Sequence, residues 1–192
     1  LRAGALPAAL TQLEERTVGP SLGADSIAKG ELAAVVGCLL IFTFMALYYR
    51  GLGLVADLSL TLNFILTLAV LTSLGATLTL PGIAGLALTI GMAVDANVII
   101  FERIKEELRR GVSAQVAIRE GFANAFSAIF DSNVTSISTS IVLLYYGTGP
   151  VKGFAMTLIA GVLTSMFSAV FFARTVLEIL VIKFNIRKIA SV

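Results

Sequence analysis

The chain has 192 residues, of which 57% are hydrophobic and 14% charged, with a mean hydropathy of +0.95 and a formal net charge of +2. A soluble domain carries about 25% charged residues, so a soluble fold, intrinsic disorder and a fibrous repeat are excluded. A single cysteine excludes a disulfide-stapled scaffold, the lack of histidine removes the commonest metal ligand, and the near-neutral balance excludes a broad nucleic-acid surface.

The class that remains is an all-α, polytopic membrane protein, in which each span needs about 20 mainly apolar residues. Leu1–Glu31 carries Pro7 and Pro20, and Leu10–Val18 has the pattern of a strand. This stretch reads as the end of an outside (periplasmic) domain leading into the first span. No basic segment precedes a short apolar run, so no signal peptide is expected, and the chain reads as a piece of something longer. The first span, Leu32–Tyr49, contains Cys38 as apolar packing and ends in the pair Tyr48–Tyr49, placed as an interfacial anchor. Arg50-Gly51-Leu52-Gly53 reads as a tight reversal into the second span, Leu54–Leu74. Pro81 stands where a helix accepts proline, at the start of the third span, Gly82–Phe101.

Glu102–Arg110 continues the third helix beyond the membrane, with i,i+4 pairs Arg103–Glu107 and Glu106–Arg110 and Gly111 as its stop. Ser113 is placed to cap a second helix with Ile118, Phe122, Phe126 and Ile129 on one face, expected to lie along the membrane surface. Residues 102–128 are therefore assigned to cytoplasmic helices. The fourth span, Ile129–Tyr146, ends in the pair Tyr145–Tyr146, and Pro150 opens the fifth, Val151–Phe172. Arg174 and Glu178 form an i,i+4 anchor, so the five-helix transmembrane domain covers 32–181 and a cytoplasmic tail covers 182–192. Of the 14 Lys and Arg residues, ten fall on the side of Arg50 and Arg103 and four on the side of Arg2 and Lys152. The basic side is expected to be cytoplasmic and the N-terminal end periplasmic.

Asp95 carries the most chemistry. It lies thirteen residues into the third span, in Gly91-Met92-Ala93-Val94-Asp95-Ala96-Asn97, roughly 20 Å from the outer end at 1.5 Å per residue. A carboxylate at that depth costs several kcal/mol and faces a partner or a water-filled cavity, where it can exchange protons. Gly91, one turn earlier, allows another helix to approach closely. Equal depth on the other spans falls near Thr43, Thr61 with Asn63, Asn133, and Thr164 with Ser165. With Asn97, Thr135 and Asp131 these form a candidate polar layer able to hold water, although single hydroxyls also serve simply as small contact residues. Asp57 and Asp131 lie at the inner ends of their spans and read best as helix N-caps, Asp131 also as a proton exit. No Lys or Arg lies at the depth of Asp95, so the site reads as half of a larger one.

At these residues the sequence resembles a known family. Gly91-Met92-Ala93-Val94-Asp95-Ala96-Asn97-Val98-Ile99-Ile100-Phe101-Glu102-Arg103 is similar to the fourth-helix motif of the SecD branch of the SecD/SecF protein-export family. Leu1-Arg2-Ala3-Gly4-Ala5-Leu6-Pro7 and Glu14–Gly23 resemble that family's entry to its second helix. Ala117-Ile118, Gly121-Phe122, Ala125, Ile129 and Asp131-Ser132-Asn133-Val134-Thr135 resemble its fifth, and Gly147–Ala155 the entry to its sixth. The resemblance runs from about Leu1 to Leu180 and implies half of a pseudo-symmetric transporter of the resistance–nodulation–division type. It implies partnership with SecF and the SecYEG channel in a bacterial inner membrane, with an unfolded preprotein as substrate and no enzymatic activity. It further implies protons as the coupling ion, no other cofactor, and Asp95 as the proton-relay residue, with its charged counterpart on SecF.

One rival is half of a proton-driven small-molecule efflux transporter of the same superfamily, against which the Glu15–Gly23 and Asp95 motifs speak. An intramembrane aspartyl protease needs two facing carboxyls at one depth, and the depth count gives Asp95 no second aspartate. A purely structural scaffold needs no buried carboxylate at all.

Overall fold

The computed structural model describes residues 20–76 and 78–184, with side chains described from Asp25 to Val181. The strand expected at Leu10–Val18 and the tail beyond Phe184 lie outside the described residues. Every described element is helical: α1 Pro20–Tyr49, α2 Gly51–Ser73, α3 Leu80–Arg109, α4 Ala114–Tyr146, α5 Pro150–Met166, a π-helical segment Phe167–Phe172, and α6 Ala173–Phe184. Five stretches are long and apolar enough to cross a membrane: Asp25–Tyr49, Gly51–Ser73, Leu80–Arg109, Ala114–Tyr146 and Pro150–Val181. This is the all-α five-span bundle expected, and it follows from lipid offering no partner to a free N–H or C=O, so each span satisfies its own backbone.

Local chemistry sets the helix ends. Thr79 caps α3 by accepting a hydrogen bond from the Gly82 N–H at 3.2 Å, with proline in the first turn. Ser113 caps α4, its hydroxyl accepting from the Val116 N–H at 3.4 Å. The α3 extension stops at Gly111, whose φ of 83° favours glycine. A single residue, Arg50, joins α1 to α2. The two helices close on each other because Gly53 has no side chain: a Cβ there would run into the Met45 carbonyl.

Four expectations need correction. α4 is one unbroken helix from Ala114 to Tyr146, so no separate helix lies along the membrane surface. Its Ile118, Phe122 and Ile129 are buried in the bundle, and Phe126 is exposed and stacks on Phe130 with centroids 5.9 Å apart. For the same reason Asp131 sits mid-helix and caps nothing, and Asp57 lies six residues inside α2, which begins at Gly51. The ion pairs on the α3 extension form at i,i+3, Arg103–Glu106 at 2.7 Å and Arg110–Glu107 at 2.6 Å, and not at i,i+4. Tyr49 is no lipid anchor. It is buried, 5.5 Å from the Phe101 ring, with its hydroxyl donating to Glu102 Oε1 at 3.0 Å. The Arg174–Glu178 pair forms as expected, at 2.8 Å.

α3 is the central helix, packed against α1, α2, α4 and α5. The main apolar core lies at the basic end of the bundle, where Met45, Leu52, Ile100, Phe101, Ile104, Ile118, Phe122 and Leu177 interlock. A smaller cluster of Leu71, Leu86 and Ala160 lies toward the opposite end. Between the two, the interior is lined by small polar residues.

Candidate functional site

α3 presents two different faces. Thr89, Ala93, Ala96, Asn97 and Ile100 are buried against the neighbouring helices. Ala84, Ala87, Leu88, Gly91 and Asp95 recur at helical spacing on the opposite side and are exposed. This outward stripe is built almost wholly of small residues and ends in a carboxylate. A Cβ at Gly91 would meet nothing within 4 Å, so the close approach it allows is not used among the described residues. Among the described residues, no side chain pairs with or hydrogen-bonds the Asp95 carboxylate.

Asp131 stands at the same depth. Gly121 of α4 lies on Ile104 of α3 so closely that a Cβ would collide with its backbone. Nine residues before Ile104 comes Asp95, and ten after Gly121, along an antiparallel helix, comes Asp131. The helix ends agree: Leu80 precedes Asp95, and Tyr146 follows Asp131, by the same number of residues, roughly 22 Å of rise. Asp131 is also exposed, with Thr135 and Ser138 on the same outward face. Those hydroxyls donate to carbonyls of their own helix, Thr135 Oγ1 to Asp131 O at 3.0 Å and Ser138 Oγ to Val134 O at 2.8 Å. The carboxylates have no such recourse. The depth argument against a second aspartate therefore fails, because the fourth span starts well before Ile129.

The polar layer divides into two sets. Asp95, Asp131 and Thr135 face out, as do Thr43 and Thr61. Asn63, Asn97, Asn133, Thr164 and Ser165 are buried inside the bundle and do not surround Asp95. The inward set forms a column. Thr67 and Thr164 share a hydrogen bond between hydroxyls at 2.6 Å, which fixes α2 against α5. One turn along lie Asn63 on α2 and Ser168 in the π-helical segment, and one turn further Ser59 on α2. Ser59 and Ser168 were missed by the sequence reading, although Ser59-Asn63-Thr67 repeats at i, i+4, i+8 in an otherwise apolar helix. That spacing is the signal that points them to one face.

A charged clamp closes the basic end. Lys105 Nζ lies 3.2 Å from Glu102 Oε1, and 4.3 and 4.9 Å from the ring centroids of Tyr49 and Tyr48. It ties the end of α1 to α3.

The fold and this face define a polytopic all-α membrane protein with two carboxylates at mid-span on an outward surface. The chain belongs to the family described as protein export membrane protein SecD/SecF, C-terminal, whose model matches residues 5–183. It is 53% identical over 190 residues to the protein translocase subunit SecD of Desulfurispirillum indicum, covering 99% of this chain and 37% of that protein. It is 55% identical to the same subunit of Syntrophobacter fumaroxidans, covering 99% and 36%. The crystal structure of SecDF from Thermus thermophilus, a translocon-associated membrane protein, superposes with a TM-score of 0.85 at 50% identity, covering 90% of this chain and 24% of that one. The chain thus spans about a third of the length of the curated relatives it matches.

Proposed function

We propose that this chain is the C-terminal transmembrane part of a SecD-type subunit, and that Asp95 carries a proton whose gain and loss drives protein export. The observation that supports this reading is a mid-span carboxylate on an exposed stripe of small residues. Leaving it in hydrocarbon costs about 3 kcal/mol by insertion scales, so another helical layer or a water-filled cleft has to cover it. The relatives are named protein translocase subunits, and the matching solved structure is named translocon-associated. The covering layer is then the second half of a pseudo-symmetric pair, SecF, which supplies the cation that faces Asp95. The pair acts beside SecYEG on an unfolded preprotein, with the basic end of the bundle in the bacterial cytoplasm. The subunit catalyses no reaction, and protons serve as its coupling ion.

One proton crossing about 100 mV releases roughly 2.3 kcal/mol, enough to bias a two-state bundle about fifty-fold. Neutral and ionised Asp95 prefer different packing against the covering half, so protonation is converted into helix movement. Asp95→Asn in the full-length protein fixes a neutral side chain of nearly the same size. Assembly is expected to persist while the gradient-dependent part of preprotein export is lost. Gradient-dependent export that survives Asp95→Asn rejects the proposal.

A further inference from the structure

The interior polar column ends in two atoms with nothing to bond. Ser59 is 0% exposed and Asn97 1%, and the buried Ser59 Oγ and Asn97 Oδ1 have no hydrogen-bond partner among the described residues. Asn97 Nδ2 donates to the Ala93 carbonyl at 2.8 Å, which holds the amide in place and leaves its oxygen facing the interior. The other hydroxyls of the column have partners: Ser168 Oγ donates to Ser165 O at 3.1 Å, and of Thr67 and Thr164 one donates to the other while the second donates to a carbonyl of its own helix. Only the inner end is short of partners.

Three registers bring these residues to one level of the bundle interior. The α2–α5 register, pinned by Thr67 and Thr164, puts Ser168 level with Asn63, one turn from Ser59. Gly161 lies directly under Thr89, and the parallel run of α3 and α5 then puts Asn97 level with Ala169, next to Ser168. α2 packs against α3 through Leu71 and Leu86, which puts Asn97 level with Leu60, next to Ser59. The junction is also where the fifth span changes to a π-helical turn, Phe167–Phe172, a distortion that opens a helix locally and recurs at functional sites. Beyond it, toward the basic end, the apolar residues Leu52, Ala56, Ile100, Phe101 and Ala173 close the interior.

We propose that an ordered water molecule occupies this junction of α2, α3 and the π-helical segment, held by Ser59 Oγ and Asn97 Oδ1, with Ser168 Oγ as a further acceptor. Water is the ligand the donor set fits: an amide oxygen that only accepts, a hydroxyl that donates or accepts, and a second hydroxyl with free lone pairs, within the two to four partners a buried water needs. No charged side chain is required. The site lies on the side of α3 opposite Asp95 and is independent of the proton-relay reading.

The decisive measurement is a structure of the full-length protein at a resolution that shows ordered solvent. A density peak within hydrogen-bonding distance of both Ser59 Oγ and Asn97 Oδ1 is the expected result. A dry contact, or a direct bond between the two side chains, overturns the proposal. A mutant cycle reads the same site in solution, by the melting temperature of the detergent-purified full-length protein. Ser59→Ala and Asn97→Ala are each expected to lower it, and the double variant to melt no lower than the less stable single one, because either change already releases the shared water. Additive losses, or no loss from either change, overturn it. Should Asn97→Ala not fold, Asn97→Ser paired with Ser59→Ala tests the same coupling, with the same outcomes.

Discussion

At Gly121, a hydrogen where other residues carry a side chain sets the register of two spans. A Cβ there would approach the Ile104 backbone nitrogen to 2.9 Å and its Cα to 3.0 Å, so the helix itself would have to move. Gly121→Ala is expected to cost about 1–3 kcal/mol, as overpacking of a tight core does, and to lower the melting temperature of the purified full-length protein. Gly91→Ala, on the same pair of helices but facing open space, is the control, and its melting temperature should not fall. Gly91 lies in an apolar span and Gly121 directly after Arg119 and Glu120, and the sequence assigns the close approach to Gly91. Sequence shows that a residue is small, not which side of the helix the neighbour occupies. The same limit applies to Asp95 and Asn97. Their shared depth and their opposite directions follow from their place and spacing in the helix, but which of the two faces inward depends on where α4 and α5 pack.

At the level of whole elements, helix ends were legible because capping is local chemistry. Ser113, Pro81 and Gly111 act within four residues of themselves, and all stand at helix ends. Apolarity marks where a span enters lipid, whereas the helix starts about one turn earlier for the second span and about four turns earlier for the fourth, which is why Asp57 and Asp131 cap nothing. Ser113→Ala should therefore cost about 1 kcal/mol as a lost N-cap, while Asp131→Asn should leave helix content unchanged by circular dichroism. The clamp at the basic end is a contact between elements and has no sequence signature, since Tyr49 and Lys105 are 56 residues apart. A double-mutant cycle of Lys105→Met and Tyr49→Phe should show coupling of about 1 kcal/mol. Tyr49→Phe keeps the ring beneath Lys105, so the coupling reads the Glu102 oxygen that the Tyr49 hydroxyl and Lys105 both bond. Additive losses would mean that the two residues act separately on α1.

For the molecule as a whole, the question is what covers the outward stripe of α3. In lipid, helices associate through close van der Waals packing at small residues, with no hydrophobic gain to drive them. Ala84, Ala87 and Gly91 supply such a surface, and Asp95 and Asp131 make lipid a costly alternative to a protein neighbour. Gly91→Leu separates the two cases. Nothing within 4 Å opposes a side chain at that position, so membrane insertion and the folding of this five-span unit should be unchanged. A leucine would, however, hold an approaching helix off by several ångströms and lift it away from Asp95. Co-purification of the full-length protein with its partner half is then expected to fall at least tenfold, the equivalent of about 1.4 kcal/mol, while the yield of this chain stays constant. A Gly91→Leu protein that keeps both its partner and its export activity would mean that the stripe faces lipid. The two aspartates would then be bearing a desolvation cost that no packing of helices relieves.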